Sequence, residues 1–154
     1  MRLSAFSDYS LRVLMVLGTH TDRLVTIAEI ARLHGISENH LTKIVHQLGR
    51  AGYIETLRGK GGGMRLARAP REIALGDVLR RSETDFALVE CFGPASRCHI
   101  EPGCQLKIVL GEALDALFRV LDSYTLADIL HPSDHHAPLA ARLSAANHPA
   151  DDAP

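Results

Sequence analysis

The stretch TIAEIARLHGISENHLTKIVHQLGRAG, residues 26–52, constrains the fold of this chain more than any other part of it. Thr26 and Glu29 stand at capping-box spacing, which predicts the start of a short helix. Ala31 is small where two helices must approach closely, and Gly35 suits the left-handed turn that ends the first of them. Ile36 is expected inside that turn. Ser37 then caps a second helix, on which Leu41, Ile44, Val45 and Leu48 share one face. A small residue, a glycine four positions on and an apolar residue six beyond that is helix-turn-helix spacing. The outer face carries Glu38, Asn39, His40, Thr42, Lys43 and His46. A plain helical hairpin shares the pattern, so the residues after Gly52 decide between them.

Those residues, YIETLRGKGGGMRLAR, predict two short strands, Tyr53–Leu57 and Met64–Ala67, around a glycine-rich turn. The glycines lack the Gly-Lys-Ser/Thr pattern and the helix directly behind them that a nucleotide-phosphate loop needs. A DNA-binding wing fits better, because small residues let the backbone approach a duplex closely. Ser37, Asn39, His40, Thr42 and Lys43 on the second helix, with Arg58 and Lys60 on the wing, are the candidate contacts to double-stranded DNA. Arg58 is suited to a narrow minor groove or to a phosphate.

Charge divides the chain in the same sense. Residues 1–81 carry a balance of +6 and residues 82–154 a balance of −7, which points the first half toward a polyanion. The 154 residues allow one ordinary domain plus an added element. No apolar run approaches a membrane span, Met1-Arg2-Leu3 does not open a secretory signal, and a reducing cytoplasm is the expected compartment. A first helix is expected after Ser7 as its N-cap, with Asp8 in the opening turn and Tyr9, Val13, Leu14, Val16 and Leu17 inward. Residues 73–82 predict a short helix under the wing. From Gln105 a broad apolar stripe, Leu106, Val109, Leu110, Ala113, Leu114, Leu117, Phe118, Leu121 and Tyr124, is too wide for a lone surface helix and suits a homodimer. Thr125 and Asp128 are placed to start a final turn. The Ala/Pro/Asp-rich segment 131–154, with His131, His135, His136 and His148, is expected to be a flexible tail.

All three cysteines, Cys91, Cys98 and Cys104, fall in CFGPASRCHIEPGC, a segment broken by Gly93, Pro94, Pro102 and Gly103. Such a segment is expected to be a loop, and an odd number of clustered thiols argues against a disulfide framework. A metal or iron–sulfur centre with one further ligand is the natural reading. Zinc on three Cys and a His is an alternative, with His99 poorly placed beside Cys98 to chelate. A cysteine redox switch is another. An iron–sulfur electron carrier has no use for a basic winged helix, and no catalytic triad or paired acid/base carboxylates are present, so no enzyme is expected.

Taken together, FSDYSLRVL, TIAEIA..HGIS..HL.KIV..L..AGYI, LRGKGGGM.LA and VECFGPASRCHIEPGCQL closely resemble the IscR-like family of iron–sulfur winged-helix regulators. The resemblance runs from Met1 to about Leu130, and within the family it is greatest to the nitric-oxide-sensing repressors. It implies a mainly α fold with a small β wing: a winged helix-turn-helix domain over 1–82, a cluster-binding loop over 83–104, a long dimerisation helix over 105–130 and the tail over 131–154. It also implies a dimer with a 4Fe-4S cluster (2Fe-2S less so) on Cys91, Cys98 and Cys104. In some of those repressors an aspartate near the partner's N-terminus is the fourth ligand, and Asp8 stands at that position. IscR-like members place a His three residues beyond the last cysteine, where this chain has Lys107. The implied function is a repressor that releases operator DNA when nitric oxide attacks the cluster. The alternatives are an IscR-like regulator of cluster assembly and a zinc or thiol redox sensor.

Overall fold

A computed structural model describes residues 2–101 and 103–130. The tail over 131–154 and its histidines lie outside the described residues. Helix α1 spans Ala5–Thr19. Its N-cap is Ser4, whose side chain accepts from the Ser7 N–H, so the helix begins a turn earlier than a Ser7 cap implies. Ser7 is instead buried, its hydroxyl 2.7 Å from that of Ser82. Burying a hydroxyl is costly unless it is paired, and this pair satisfies both groups while fixing α1 to the fourth helix.

The helix-turn-helix comprises α2 (Ile27–His34) and α3 (Glu38–Arg50). Thr26 and Glu29 complete a reciprocal capping box, and Gly35 closes α2 with φ +64°. Ser37 caps α3 through the His40 N–H, and Ile36 is buried between the helices. Leu41, Ile44, Val45 and Leu48 enter one core with Val13, Leu14, Leu17 and Ile30. Burying each such side chain contributes about 1.5–3 kcal/mol, so this shared face, not helix propensity, sets the angle between α2 and α3.

The wing is a two-stranded antiparallel sheet, β1 (Ile54–Leu57) paired with β2 (Gly63–Leu66). Both strands are displaced by one residue at their starts from the sequence expectation. Tyr53 is already a core residue, and Gly63 pairs with Leu57. Val25 adds a third partner, exchanging both backbone hydrogen bonds with Met64 at 2.8 and 2.9 Å. At the tip, Gly59 and Gly61 have φ of +104° and +79°, where a side chain is strained.

Helix α4 covers Leu75–Ser82, followed by a loop containing one 3₁₀ turn at Glu90–Phe92. The segment 105–130 is two helices rather than one: α5 (Gln105–Asp122) and α6 (Leu126–Leu130). Ser123 and Tyr124 break the helix, and Thr125 donates from its N–H and its hydroxyl to Asp128 to start α6. Leu126 is fully buried in the winged-helix core, so α6 folds back and α5 alone projects. No residue of α5 is fully buried in the single chain.

Candidate metal centre and nucleic-acid interface

Cys91, Cys98 and Cys104 are free, partly buried thiols that border one cavity of about 210 Å³. Cys91 lies in the 3₁₀ turn, Cys98 follows a bend in which its N–H donates to the Ser96 hydroxyl, and Cys104 is the N-terminal flanking residue of α5. The loop therefore brings three sulfurs to the base of the projecting helix. Val89, Ile100, Leu106 and Leu110 give the cavity an apolar wall. Among the described residues, no three His, Cys, Asp or Glu side chains stand together as one metal ion would need. His99 is exposed and does not border the cavity. A cluster takes one thiolate on each of several irons and spreads its ligands more widely than zinc does. Soft sulfur donors with an apolar wall fit that group.

Asp8 lies elsewhere on the chain. It sits on α1, half exposed, and is paired to Arg12 one turn on at 3.0 Å. No carboxylate on α1 borders the cysteine cavity of its own chain, so a ligand from Asp8 must come from a second copy. Lys107 does border the cavity and is ion-paired to Glu101. It occupies the position at which a His ligand was the alternative.

The helix-turn-helix and wing present the candidate DNA contacts on the outside. Ser37, Asn39, His40, Thr42 and Lys43 are exposed along α3, and Arg58 and Lys60 are exposed at the tip of the wing. Ser37 and Thr42 are partly committed: Ser37 caps α3, and the Thr42 hydroxyl donates to the Glu38 carbonyl at 2.8 Å. Lys43, Arg58 and Lys60 form no ion pair among the described residues, whereas Arg65 is held by Glu55 across the strands. Beside α3 lies a basic cleft of about 510 Å³, not expected from the sequence, lined by Lys43, His46, Gln47, Arg50 and Arg81. The spacing of Lys43, His46 and Arg50 along one stripe is legible in the sequence. The approach of Arg81 from α4 is not.

Hydrogen bonds connect the C-terminal end of α5, the helix that starts at the cysteine loop, to the reading head. Arg80 on α4 holds Asp122 at the end of α5 with two bonds of 2.6 and 2.7 Å. That pairing keeps the Asp122 carboxyl below the usual range and raises the Arg80 guanidinium. Arg80 also lies 4.3 Å from the centre of the Phe118 ring, which meets Phe86 edge-on at 4.7 Å. From α4, the Arg81 carbonyl accepts from Gln47 of α3 at 2.8 Å.

The family model described as Rrf2, an iron-dependent transcriptional regulator, matches residues 3–132. The chain is 50% identical to the HTH-type transcriptional regulator NsrR of Bacillus licheniformis over 137 residues, covering 88% of this chain and 96% of that protein. It is 50% identical to NsrR of Geobacillus kaustophilus over 132 residues, 84% of this chain and 90% of the relative. Among solved structures, IscR of T. potens superposes with a TM-score of 0.68 at 30% identity, covering 84% of this chain and 86% of that one. CymR (YrzC), the global cysteine regulator of B. subtilis, gives 0.69 at 30%, covering 84% and 95%. The winged-helix architecture and these relatives agree: the chain is a transcriptional regulator, not an enzyme, and belongs to the Rrf2 family.

Proposed function

We propose that this chain is a nitric-oxide-sensing repressor that works as a homodimer and carries a 4Fe-4S cluster on Cys91, Cys98 and Cys104. The observation that carries the reading is the convergence of all three cysteines on one cavity at the N-terminus of α5, in a winged-helix protein. The relatives named NsrR support it. When bound, the cluster supplies iron that reacts with nitric oxide. Cys104 stands at the start of α5, and Arg80 and Asp122 tie the far end of α5 to α4. The Gln47 bond to the Arg81 carbonyl passes the position of α4 to α3. Asp8 of a second subunit is proposed as the fourth ligand, joining that subunit's first helix to the cysteine loop. With the ligands engaged, both α3 helices keep the separation that two half-sites require. Release lets that separation relax, and operator affinity falls.

Iron, sulfide and zinc content of anaerobically purified protein tests the metal assignment. Iron and sulfide in near-equal amounts, with a visible chromophore lost in Cys98→Ala, are expected. Stoichiometric zinc without iron overturns it.

A further inference from the structure

Lys107 stands in the first turn of α5, three residues after Cys104, and borders the same cavity as the three cysteines. Its ammonium is ion-paired to Glu101, which lies in the loop between Cys98 and Cys104. Both side chains are roughly one-third exposed, at 36% for Lys107 and 32% for Glu101, so bulk solvent screens the pair only in part. The Glu101 hydrogen bond is the main reason that Lys107 is held charged, and the sulfurs of Cys91 and Cys104 act in the same direction. Glu101 in turn is kept ionised by Lys107 and by Ser96. The cavity thus has a lysine ammonium at its edge, ion-paired to a carboxylate that does not itself border the cavity.

We propose that Lys107 and Glu101 act as a fixed charge pair that sets the reduction potential of the cluster, the lysine raising it and the glutamate limiting that rise. The inference rests on the cluster reading above and adds residues that are not ligands. Thiolate ligands leave the site net negative, and one further electron makes it more so. A nearby cation favours that uptake, since net charge and hydrogen bonding around the sulfurs set cluster potentials. The step is a one-electron reduction, the electron coming from a reduced flavin or iron–sulfur electron carrier that is oxidised by one electron in turn, with no bond made or broken. The pair therefore sets which oxidation state meets the signal.

The test is a spectroelectrochemical titration of cluster-loaded wild type, Lys107→Met, Lys107→Arg and Glu101→Gln. Lys107→Met should lower the equilibrium constant for reduction about tenfold, which is about 59 mV downward for one electron. Glu101→Gln should raise the potential by a similar amount, and Lys107→Arg should stay near wild type. A purely structural role for the pair moves both charge-removing variants the same way, or neither, and that result overturns the proposal. So does a changed visible spectrum of the oxidised cluster in Glu101→Gln, which marks Glu101 as a ligand. Wild type that takes up no iron and sulfide overturns the cluster reading itself. Loaded wild type with unmoved variant potentials overturns only the charge pair.

Discussion

Tyr53 shows how one residue links the core to pH. It is 1% exposed and donates to the Asp77 carboxylate at 3.1 Å, with Arg68 and Arg81 over its ring. Burial, and then the adjacent Asp77 carboxylate, push the phenol from 10.0 to about 12. The folded state therefore holds this proton more tightly than the unfolded chain does. The stability it contributes is complete below pH 10 and is lost as pH rises toward 12. Denaturant titrations at pH 8 and across the alkaline range should show Tyr53→Phe losing about 0.5–1.5 kcal/mol at pH 8, where the hydrogen bond counts. The mutant should also lose less with further alkalinity than wild type. An identical alkaline slope in both proteins contradicts this assignment.

Lys43 and Arg58 are read at the same scale, because each is an exposed cation without an ion-pair partner among the described residues. Removing a phosphate contact should weaken binding to all sequences and reduce the salt slope by about one. Removing a base contact should instead cost roughly 1–3 kcal/mol at one position. Salt-dependent binding of Lys43→Ala and Arg58→Ala separates these outcomes, and unchanged affinity of the double mutant places the DNA on another surface.

Among the elements, the wing depends on its glycines for shape. A Cβ on Gly62 would clash with the Leu57 carbonyl, and one on Gly63 would stand 2.8 Å from the Val25 carbonyl. Gly62→Ala should therefore distort the tip that carries Arg58 and Lys60 while sparing the core helices. The expected result is a clear loss of operator affinity, with a melting temperature only a few degrees lower. Equal losses of affinity and helical content would show that the wing is structural support instead.

Local chemistry made much of this fold legible in the sequence. The capping box at Thr26 and Glu29, the left-handed Gly35 and the inward face of α3 depend on neighbours a few residues apart. The Thr125–Asp128 start of α6, expected from the sequence, is local in the same way, but the contacts that seat α1 and α6 on the rest of the fold are not. Ser4 caps α1 where the chain meets Glu83, whose carboxylate accepts from the Ser4 N–H at 2.7 Å. The break at Ser123 and Tyr124 allows Leu126 to reach the core, where its N–H bonds the Ile73 carbonyl at 2.8 Å. Those contacts join residues far apart in the chain, and periodicity carries no record of them. The candidate site divides in the same way. Cysteine spacing announces the loop and Lys107 follows it in the sequence, but the pairing of Lys107 with Glu101 at the cavity edge appears only in the folded chain.

At the scale of the whole molecule, α5 leaves an apolar stripe open. Leu106, Val109 and Val120 are 62%, 56% and 57% exposed and share one face of α5, and Tyr124, just past its end, is 50% exposed. Contiguous apolar surface of this kind marks an interaction site, and a second copy of α5 is the proposed occupant. Val109→Glu with Val120→Glu should shift sedimentation equilibrium from dimer to monomer while leaving the winged-helix core folded. A monomeric wild type at micromolar concentration contradicts the arrangement, and with it the supply of Asp8 from a partner.

Asp8 is proposed to carry the coupling between subunits. As a helix-start carboxylate paired to Arg12, it is worth only about 0.3–1 kcal/mol to the helix. As a ligand to the partner's cluster, it should control operator affinity over about 5–150-fold. Cluster-loaded Asp8→Ala should therefore keep iron, shift its visible spectrum and bind operator DNA nearly as weakly as cluster-free protein. Equal binding by cluster-loaded mutant and wild type, with an unshifted spectrum, assigns the fourth ligand elsewhere.

Operator binding measured anaerobically, at one salt concentration, through a stepwise nitric oxide titration shows whether the cluster controls DNA affinity. Iron–sulfur absorbance is followed in the same samples. Absorbance and DNA affinity should fall together, and Cys98→Ala protein should bind weakly from the outset without responding. Affinity that stays constant while the chromophore is destroyed contradicts that control.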